Sequence, residues 1–200
     1  MNSLNQKTVV LGVCGSIAAY KACELTRLLA REGADVHVVM TKAACEFVTP
    51  LTFQTLSKNR VKKGDVSMGS GRQISIREGN VPSIDHITLA DRADLVVIAP
   101  ATANLIARAA HGLADDLLTE ILLATKAPVL FCPSMNVNMW QHKATQYNIG
   151  RLKELGYKVL EPAEGELACG WEGKGRLPEP KEILKEITSV IAKNEVMKQA

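Results

Sequence analysis

The segment that follows the first predicted strand carries small and hydrogen-bonding residues of types that could bind an anion. Gly15-Ser16-Ile17 lies between a β-branched apolar run and an amphipathic stretch, which predicts a tight turn from a strand into a helix. Backbone N–H groups at a helix N-terminus, together with the positive end of the helix dipole, favour an anion. Thr41 and Lys42 follow the second predicted strand, and a hydroxyl and a cation suit a phosphate. These residues predict a phosphate site, with a purely structural turn as the alternative.

The same turn lacks the fingerprint of a dinucleotide site. The pattern G-x-G-x-x-G would place glycines at positions that Cys14 and Ile17 occupy. A site for NAD also needs an acidic side chain at the end of the second strand to hold the ribose hydroxyls, and Thr41 stands there instead. The sequence therefore favours a mononucleotide over a dinucleotide.

Two later loops add side chains that could bind a planar ligand. Pro100-Ala101-Thr102-Ala103-Asn104 follows a fully apolar strand, and its hydroxyl and amide can hydrogen-bond the edge of a heterocycle. Thr102 is equally a candidate helix N-cap, and the residues alone leave both roles open. The loop 133–140, which contains Met135 and Asn136, follows the next strand. Because ligands of parallel sheets lie beyond the carboxyl ends of the strands, we expect all of these loops to border one site.

The elements that must position these loops alternate between strand and helix. Short apolar runs predict strands at 9–13, 36–40, 95–99, 128–132 and 158–160. Amphipathic or capped segments predict helices at 17–32, 41–47, 104–111, 115–124, 146–155 and from 180 onward, with Pro50 ending or redirecting the second. This order predicts an α/β fold, a doubly wound sheet of five or six parallel strands with helices on both faces.

Length and punctuation set the domain organisation. The 200 residues suffice for one domain, which we place at 1–180, followed by a C-terminal amphipathic helix at 181–200. Residues 58–84 are polar and rich in glycine, which predicts a surface excursion, either a hairpin or a loop without a role.

Composition excludes several classes of protein. The net charge of +3 and the absence of a basic tract argue against a nucleic-acid partner. No apolar run approaches the roughly 20 residues that a membrane span needs. The 5 cysteines form no C-x-x-C pair, so we predict no metal site and expect reduced thiols in the cytoplasm. Cys14, Cys23, Cys45 and Cys132 are interpreted as core residues.

Several segments together resemble the motifs of a known family, the homo-oligomeric flavin-containing cysteine decarboxylases. Three of its blocks are similar to Gly15-Ser16-Ile17-Ala18, to 100–104 and to 133–140, the last matching the family pattern PxMNxxMW at every fixed position. The family's catalytic-histidine segment resembles Asp85-His86-Ile87-Thr88-Leu89. Leu167-Ala168-Cys169-Gly170 resembles a block of the members that act on phosphopantothenoylcysteine. The resemblance covers most of the chain.

The resemblance implies a flavodoxin-like, three-layer fold that binds FMN. The implied reaction is the oxidative decarboxylation of 4′-phospho-N-pantothenoylcysteine to 4′-phosphopantetheine and CO2 in coenzyme A biosynthesis. The family also implies a homotrimer, or a dodecamer built of trimers, with FMN between subunits. A phosphopantothenoylcysteine synthetase on a separate chain is the implied protein partner.

The resemblance also assigns residues to the cofactor. The phosphate would be held by Gly15, Ser16, Ile17 and Thr41. Phe53 would pack on the flavin ring, and Met135 would contact the ring from the last loop. The polar edge of the ring would meet Ala101, Thr102, Ala103 and Asn104.

Substrate and catalytic roles follow in the same way. His86 is the implied base, and Asn136 would hold the substrate against the flavin, beside Met139. Cys169 would donate the final proton from a flap at about 163–178, where Ala168 would also contact the substrate. One position departs from the family, because Trp171 stands where an acidic residue usually follows Ala-Cys-Gly.

Three alternative functions share this fold. Cys169 argues against a peptidyl-cysteine decarboxylase, and the complete PxMNxxMW block argues against a flavin prenyltransferase. A non-catalytic FMN-binding regulatory relative usually loses catalytic residues, whereas His86, Asn136 and Cys169 are all present.

Overall fold

A computed structural model describes residues 3–64, 75–76, 82–83, 85–168 and 170–199. Its centre is a six-stranded parallel sheet formed by β1 (Thr8–Val13), β2 (Asp35–Thr41), β3 (Lys62–Gly64), β6 (Leu95–Ala101), β7 (Val129–Pro133) and β8 (Lys158–Val159). Across the sheet the strands lie in the order β3-β2-β1-β6-β7-β8. Two antiparallel pairs lie outside it, formed by β4 (Ser75–Ile76) with β5 (Pro82–Ser83) and by β9 (Ala163–Glu166) with β10 (Glu172–Arg176). The predicted sheet of parallel strands is confirmed.

Helices cover both faces of the sheet. The helices are α1 (Ala19–Arg31), α2 (Pro50–Ser57), α3 (Asp85–Arg92), α4 (Ala103–Ala110), α5 (Leu117–Ala124), α6 (Val137–Gln141), α7 (Lys143–Glu154) and α8 (Pro180–Gln199), with a short 3₁₀ helix at Lys42–Glu46. One core cluster contains buried residues of α1, α2 and α8, and a second contains buried residues of α3, α4, α5 and α7. This is the expected three-layer architecture, because each core is the interface between one helical layer and one face of the sheet.

The strands divide their side chains between these two cores. In β1, Val9, Leu11 and Val13 pack into the first core, whereas Val10 packs into the second. All seven residues of β6 are buried. A strand that is covered on both faces must be apolar at every position, so the continuous apolar runs of the sequence were strand signals even though they do not alternate.

The strand order places a crevice at the carboxyl ends of β1 and β6. Chain connections lead from β1 outward to β2 and β3, and then return to β6 on the other side of β1. At such a point the loops after the two neighbouring strands turn toward opposite faces of the sheet, which leaves a crevice between them. It is bordered by the loop 14–18 and by the turn at Thr102, which belong to the first and third of the predicted binding segments.

Several elements differ from the sequence-based prediction. Pro50 begins α2 rather than ending a helix, because its fixed φ and missing N–H are compatible with a first helical turn. The short helices α3 and α6 were not predicted, and Lys62–Gly64, inside the predicted excursion, joins the main sheet as its edge strand. Within the excursion at 58–84, residues 65–74, 77–81 and 84 lie outside the described residues. No helix in the described ranges is long and apolar enough to span a membrane.

Candidate functional site

The turn after β1 has the geometry of an anion cradle. The N–H of Cys14 donates to the Pro100 carbonyl oxygen at 3.3 Å, which ties the turn to the loop after β6. Ser16 Oγ accepts from the Ala18 N–H at 3.2 Å. The N–H groups of Gly15 and Ile17 have no protein acceptor among the residues that the structure describes. Two unpartnered donors at the N-terminal end of α1 therefore suit an anionic ligand.

Thr41 lies close to this turn. A Cβ added to Gly15 would stand 2.5 Å from Cβ of Ala43, so the glycine is required by the close approach of the two loops. Thr41 caps the 3₁₀ helix, where its Oγ1 accepts from the Ala44 N–H at 3.2 Å. Because a hydroxyl both accepts and donates, its hydrogen remains available for a ligand oxygen.

The loop after β6 forms the second wall. Thr102 is the N-cap of α4, and its Oγ1 accepts from the Leu105 N–H at 3.4 Å, so the capping role left open by the sequence is observed. Ala101 is completely buried, whereas Asn104 is exposed on the first turn of α4. Burial raises the pKa of the Cys14 thiol to about 12, against the opposing hydrogen bonds with Thr102. Cys14 is therefore a neutral core residue.

The loop after β7 joins both walls. The N–H of Ser134 donates to the Ala101 carbonyl oxygen at 3.0 Å, and Ser134 Oγ lies 3.5 Å from Ser16 Oγ. Asn136 is the N-cap of α6, where its Oδ1 accepts from the Asn138 N–H at 2.8 Å. Met135 is buried, and Met139, one turn into α6, is half exposed. Three of the predicted binding loops thus meet at one edge of the sheet.

A β-hairpin lies against this loop. The Met135 N–H donates to the Gly175 carbonyl oxygen at 3.0 Å, and a Cβ added to Gly175 would overlap the Met135 carbonyl oxygen. Gly173 has φ +145°, and its added Cβ would stand 2.9 Å from Cγ2 of Val137. The two glycines of β10 therefore allow the hairpin to approach the backbone of Met135 and the side chain of Val137 closely.

The hairpin as a whole, 163–176, coincides with the segment 163–178 for which a flap was predicted. The Leu167 N–H donates to the Trp171 carbonyl oxygen at 2.7 Å, which closes the tip, and Ala168 and Trp171 are exposed there. Cys169 lies outside the described residues. At the base, Lys21 Nζ contacts Glu179 Oε1 at 2.7 Å and fastens the end of the flap to α1.

His86 lies in the first turn of α3, with a carboxylate beside it. Its Nδ1 is 3.1 Å from Oε2 of Glu120 on α5, and the two side chains are 21% and 22% exposed. Sequence reasoning did not identify Glu120, because no motif marks it and the pair is created by the packing of α3 against α5. The amphipathic spacing of 115–124 predicted the helix but not which of its polar residues would face His86.

Phe53 is the predicted site residue that the structure places least favourably. It is completely buried in the core between α1 and β2, with no exposed surface. Contact with a ligand ring would therefore require a neighbouring side chain to move. No group of three or more potential metal ligands occurs within the described ranges.

The profile of the family named Flavoprotein matches residues 1–192 of this chain. The chain belongs to the Flavoprotein family. Curated relatives include the coenzyme A biosynthesis bifunctional protein CoaBC of Bacillus subtilis, 50% identical over 91% of this chain, and that of Vibrio cholerae, 49% identical over 92%. The chain spans only 42% and 44% of the length of these two proteins.

Solved structures of similar Flavoprotein chains share the fold over almost their whole length. One is a PPC decarboxylase mutant complexed with pantothenoylaminoethenethiol, 30% identical, with a TM-score of 0.76 and coverage of 97% of this chain and 99% of that chain. Another is the FMN binding protein AtHal3, 33% identical, with a TM-score of 0.75 and coverage of 92% and 95%. The flavodoxin-like fold predicted from the sequence is confirmed.

Proposed function

We propose that this chain is an FMN-dependent phosphopantothenoylcysteine decarboxylase of coenzyme A biosynthesis. The reaction converts 4′-phospho-N-pantothenoylcysteine to 4′-phosphopantetheine and CO2. The observation that carries the proposal is the loop 133–136, which contacts both the anion cradle through Ser134 and the flap strand through Met135. Asn136 therefore stands where a cofactor in the crevice and a substrate beneath the flap would meet. The names of the CoaBC relatives and of the PPC decarboxylase structure support the same reaction.

The crevice fits the parts of FMN. The unpartnered N–H groups of Gly15 and Ile17 and the available hydroxyl hydrogen of Thr41 are donors that a phosphate accepts. Ser16 would complete this phosphate site. The ring edge would meet the turn that contains Ala101, Thr102, Ala103 and Asn104, and Met135 would contact the ring from the loop after β7.

The carboxylate of the substrate is bonded to a carbon that has no electron sink, so its direct loss as CO2 is slow. The chemistry supplied by bound FMN is a reversible two-electron oxidation of the thiol-bearing carbon, which creates that sink. His86 would take a proton in the oxidation or decarboxylation half of the reaction, as a general base. Asn136 would orient the substrate through its carboxylate or amide, and Met139 would shape the same pocket.

The flap would complete the reaction. Cys169, which lies outside the described residues, would donate a proton to the ene-thiolate left after CO2 departs. Ala168 would contact the substrate beside it. A thiol is suited to this task because it can give up a proton near neutral pH. The hairpin geometry supports this role, since the backbone bond between Met135 and Gly175 holds the base of the flap on the substrate loop.

We also propose the assembly that this site would need. Ile17, in the turn after β1, and Met139, in α6, are 59% and 50% exposed. Apolar side chains at the rim of a polar crevice suit burial by another copy of the chain. A homotrimer, or a dodecamer of trimers, would cover them and enclose FMN between subunits. A phosphopantothenoylcysteine synthetase would be the partner, and the cytoplasm the location.

The decisive experiment is a product assay by mass spectrometry. Purified protein should be yellow from bound flavin, and incubation with phosphopantothenoylcysteine should yield CO2 and the saturated thiol. His86→Asn should abolish CO2 release, whereas His111→Asn, which changes an exposed histidine of α4's C-terminus, should not. Protein that takes up no FMN, or that leaves the substrate unchanged, would overturn the proposal.

A second variant tests the role of the flap cysteine. Cys169→Ser should still release CO2, but the product should be lighter by two hydrogens, because the ene-thiolate then gains neither the proton of Cys169 nor the hydride that reduced FMN would return with it. If Cys169→Ser yields normal phosphopantetheine, another group donates the proton. If the unaltered protein itself stops at the lighter product, Cys169 does not serve as the donor, and a cysteine-containing peptide becomes the substrate to test next.

A further inference from the structure

We infer that Glu120 is a positioning residue for His86, fixing the tautomer and orientation in which the imidazole acts as a base. The inference rests on the proposed function, and it concerns a residue that belongs to none of the family motifs. Its starting point is the 3.1 Å separation between His86 Nδ1 and Glu120 Oε2.

The contact is built into the packing of two helices. Leu89 and Ala90, one helical turn after His86, and Ile121 and Leu122, which follow Glu120, are buried in the same core cluster. These apolar residues fix the distance between the two helix surfaces. The histidine and the carboxylate therefore face each other because of the fold, rather than through a chance meeting of two long surface side chains.

The pair determines which imidazole nitrogen carries the hydrogen. An ionised carboxylate can only accept hydrogen bonds, so a hydrogen bond across this 3.1 Å separation requires that the hydrogen lie on Nδ1. In the neutral ring Nε2 then has the lone pair, and it is the only nitrogen that can accept a proton. When Nε2 takes a proton, the adjacent negative charge stabilises the resulting imidazolium, as carboxylates do beside catalytic histidines in other enzymes.

Glu120 is held in place by the local structure of its helix. It lies in the first turn of α5, which begins with a capping box in which Asp116 and Thr119 satisfy each other's donors and acceptors. A negative charge in the first turn of a helix interacts favourably with the helix dipole. Arg108 pairs with Asp116 at 2.9 Å and with Asp115. The charge of Arg108 is therefore balanced by carboxylates other than that of Glu120.

The first test reads the tautomer directly and does not depend on activity. Long-range ¹H–¹⁵N NMR of the holoprotein, labelled at histidine, distinguishes a hydrogen on Nδ1 from one on Nε2. We expect His86, identified by its loss in His86→Asn, to carry the hydrogen on Nδ1. Glu120→Ala should remove this preference, and Glu120→Gln should retain it, because an amide oxygen still accepts from Nδ1. An unchanged spectrum in Glu120→Ala would overturn the inference.

The second test separates kcat from KM. We expect Glu120→Ala to lower kcat for decarboxylation by about 10- to 100-fold with KM within about twofold, since the base is impaired but the substrate contacts are not. Glu120→Gln should retain an intermediate kcat, because it keeps the hydrogen bond but not the charge.

Controls make these outcomes distinguishable from misfolding and from failure of the proposed function. Glu154→Ala removes a glutamate that pairs with Arg151 on the exposed side of α7, and it should change neither the His86 spectrum nor kcat. Flavin absorbance and thermal unfolding should match the parent protein in Glu120→Gln. Inactivity of the parent protein refutes the function, whereas an active parent whose kcat is unaltered by Glu120→Ala refutes only the role of Glu120.

Discussion

The two ends of the parallel sheet differ in whether their polar groups have hydrogen-bond partners within the protein. At the amino ends of the strands, Asp35 Oδ2 lies 2.9 Å from His37 Nε2 and 3.2 Å from Arg92, and its Oδ1 accepts from Asn59 at 2.7 Å. At the carboxyl ends, N–H groups of Gly15 and Ile17 have no protein acceptor among the described residues.

The difference separates stability from function. Polar groups at the amino ends satisfy one another and tie strands to helices, so they contribute to folding and leave nothing for a ligand. The carboxyl ends keep N–H donors available for a ligand and bring backbones into contact at glycines. The loops there must therefore be held in place by contacts with other parts of the fold. Variants at the two ends should therefore affect different measurements, and each of the following predictions tests that separation.

The largest effect is expected at the contact between the flap and the substrate loop. In Gly175→Ala the added methyl group overlaps the Met135 carbonyl oxygen, which is backbone and cannot rotate away. We expect kcat/KM for decarboxylation to fall by about 100-fold, because β10 must leave the loop that carries Asn136. Steady-state kinetics give this number, and flavin content should fall much less. Retention of full activity in Gly175→Ala would contradict the proposed role of the flap.

The next effect is expected in the anion cradle. Gly15→Ala would place a methyl group 2.5 Å from Cβ of Ala43, so the turn after β1 must separate from the Thr41 loop. We expect the affinity for FMN to fall by about tenfold, which corresponds to about 1.4 kcal/mol. Titration of the apoprotein with FMN, followed by flavin fluorescence, measures it. Unaltered affinity would show that the cradle does not hold the phosphate.

The sequence predicted those parts of the site that a local residue pattern marks, and it did not predict the parts that only tertiary contacts create. The strand 95–99 was recognisable because it is buried on both faces, and the loops after the strands followed from the strands themselves. In the strands of the hairpin at 163–176, charged residues alternate with glycine or alanine rather than with large apolar side chains, so the sequence offers no signal of a half-buried strand. Glu120 could not be identified, because only the tertiary contact between α3 and α5 brings it to His86.

The amino ends provide the opposite test. Burial alone would raise the pKa of Asp35, but hydrogen bonds from Asn59 and His37, with the charge of Arg92, hold it below its ordinary value of 3.8. A carboxyl group with a lowered pKa stabilises the folded state above that ordinary value, and this contribution is lost as the pH falls below it.

Asp35→Ala should therefore lower the free energy of unfolding at pH 7 by about 1 kcal/mol, since the carboxylate is partly exposed and its interactions are screened. Urea titrations at pH 7 and at pH 3 measure it, and the deficit relative to the parent protein should shrink at the lower pH. FMN affinity and kcat should be unaltered. A loss of flavin in Asp35→Ala would mean that the two ends of the sheet are not independent.

The smallest effect is expected at Gly150, where an added methyl group would contact no other heavy atom. Gly150 lies inside α7, and a Cβ added there has no heavy atom within 4 Å, unlike one added to Gly15 or Gly175. Alanine favours a helix over glycine by about 0.8–1.0 kcal/mol, so Gly150→Ala should raise the free energy of unfolding by up to about that amount. FMN affinity and kcat/KM should not change, which makes this variant the matched control for both carboxyl-end glycines. If Gly150→Ala also lowered activity, the losses in Gly15→Ala and Gly175→Ala could not be assigned to overlap at the site, because an added methyl group without a steric partner would have had the same consequence.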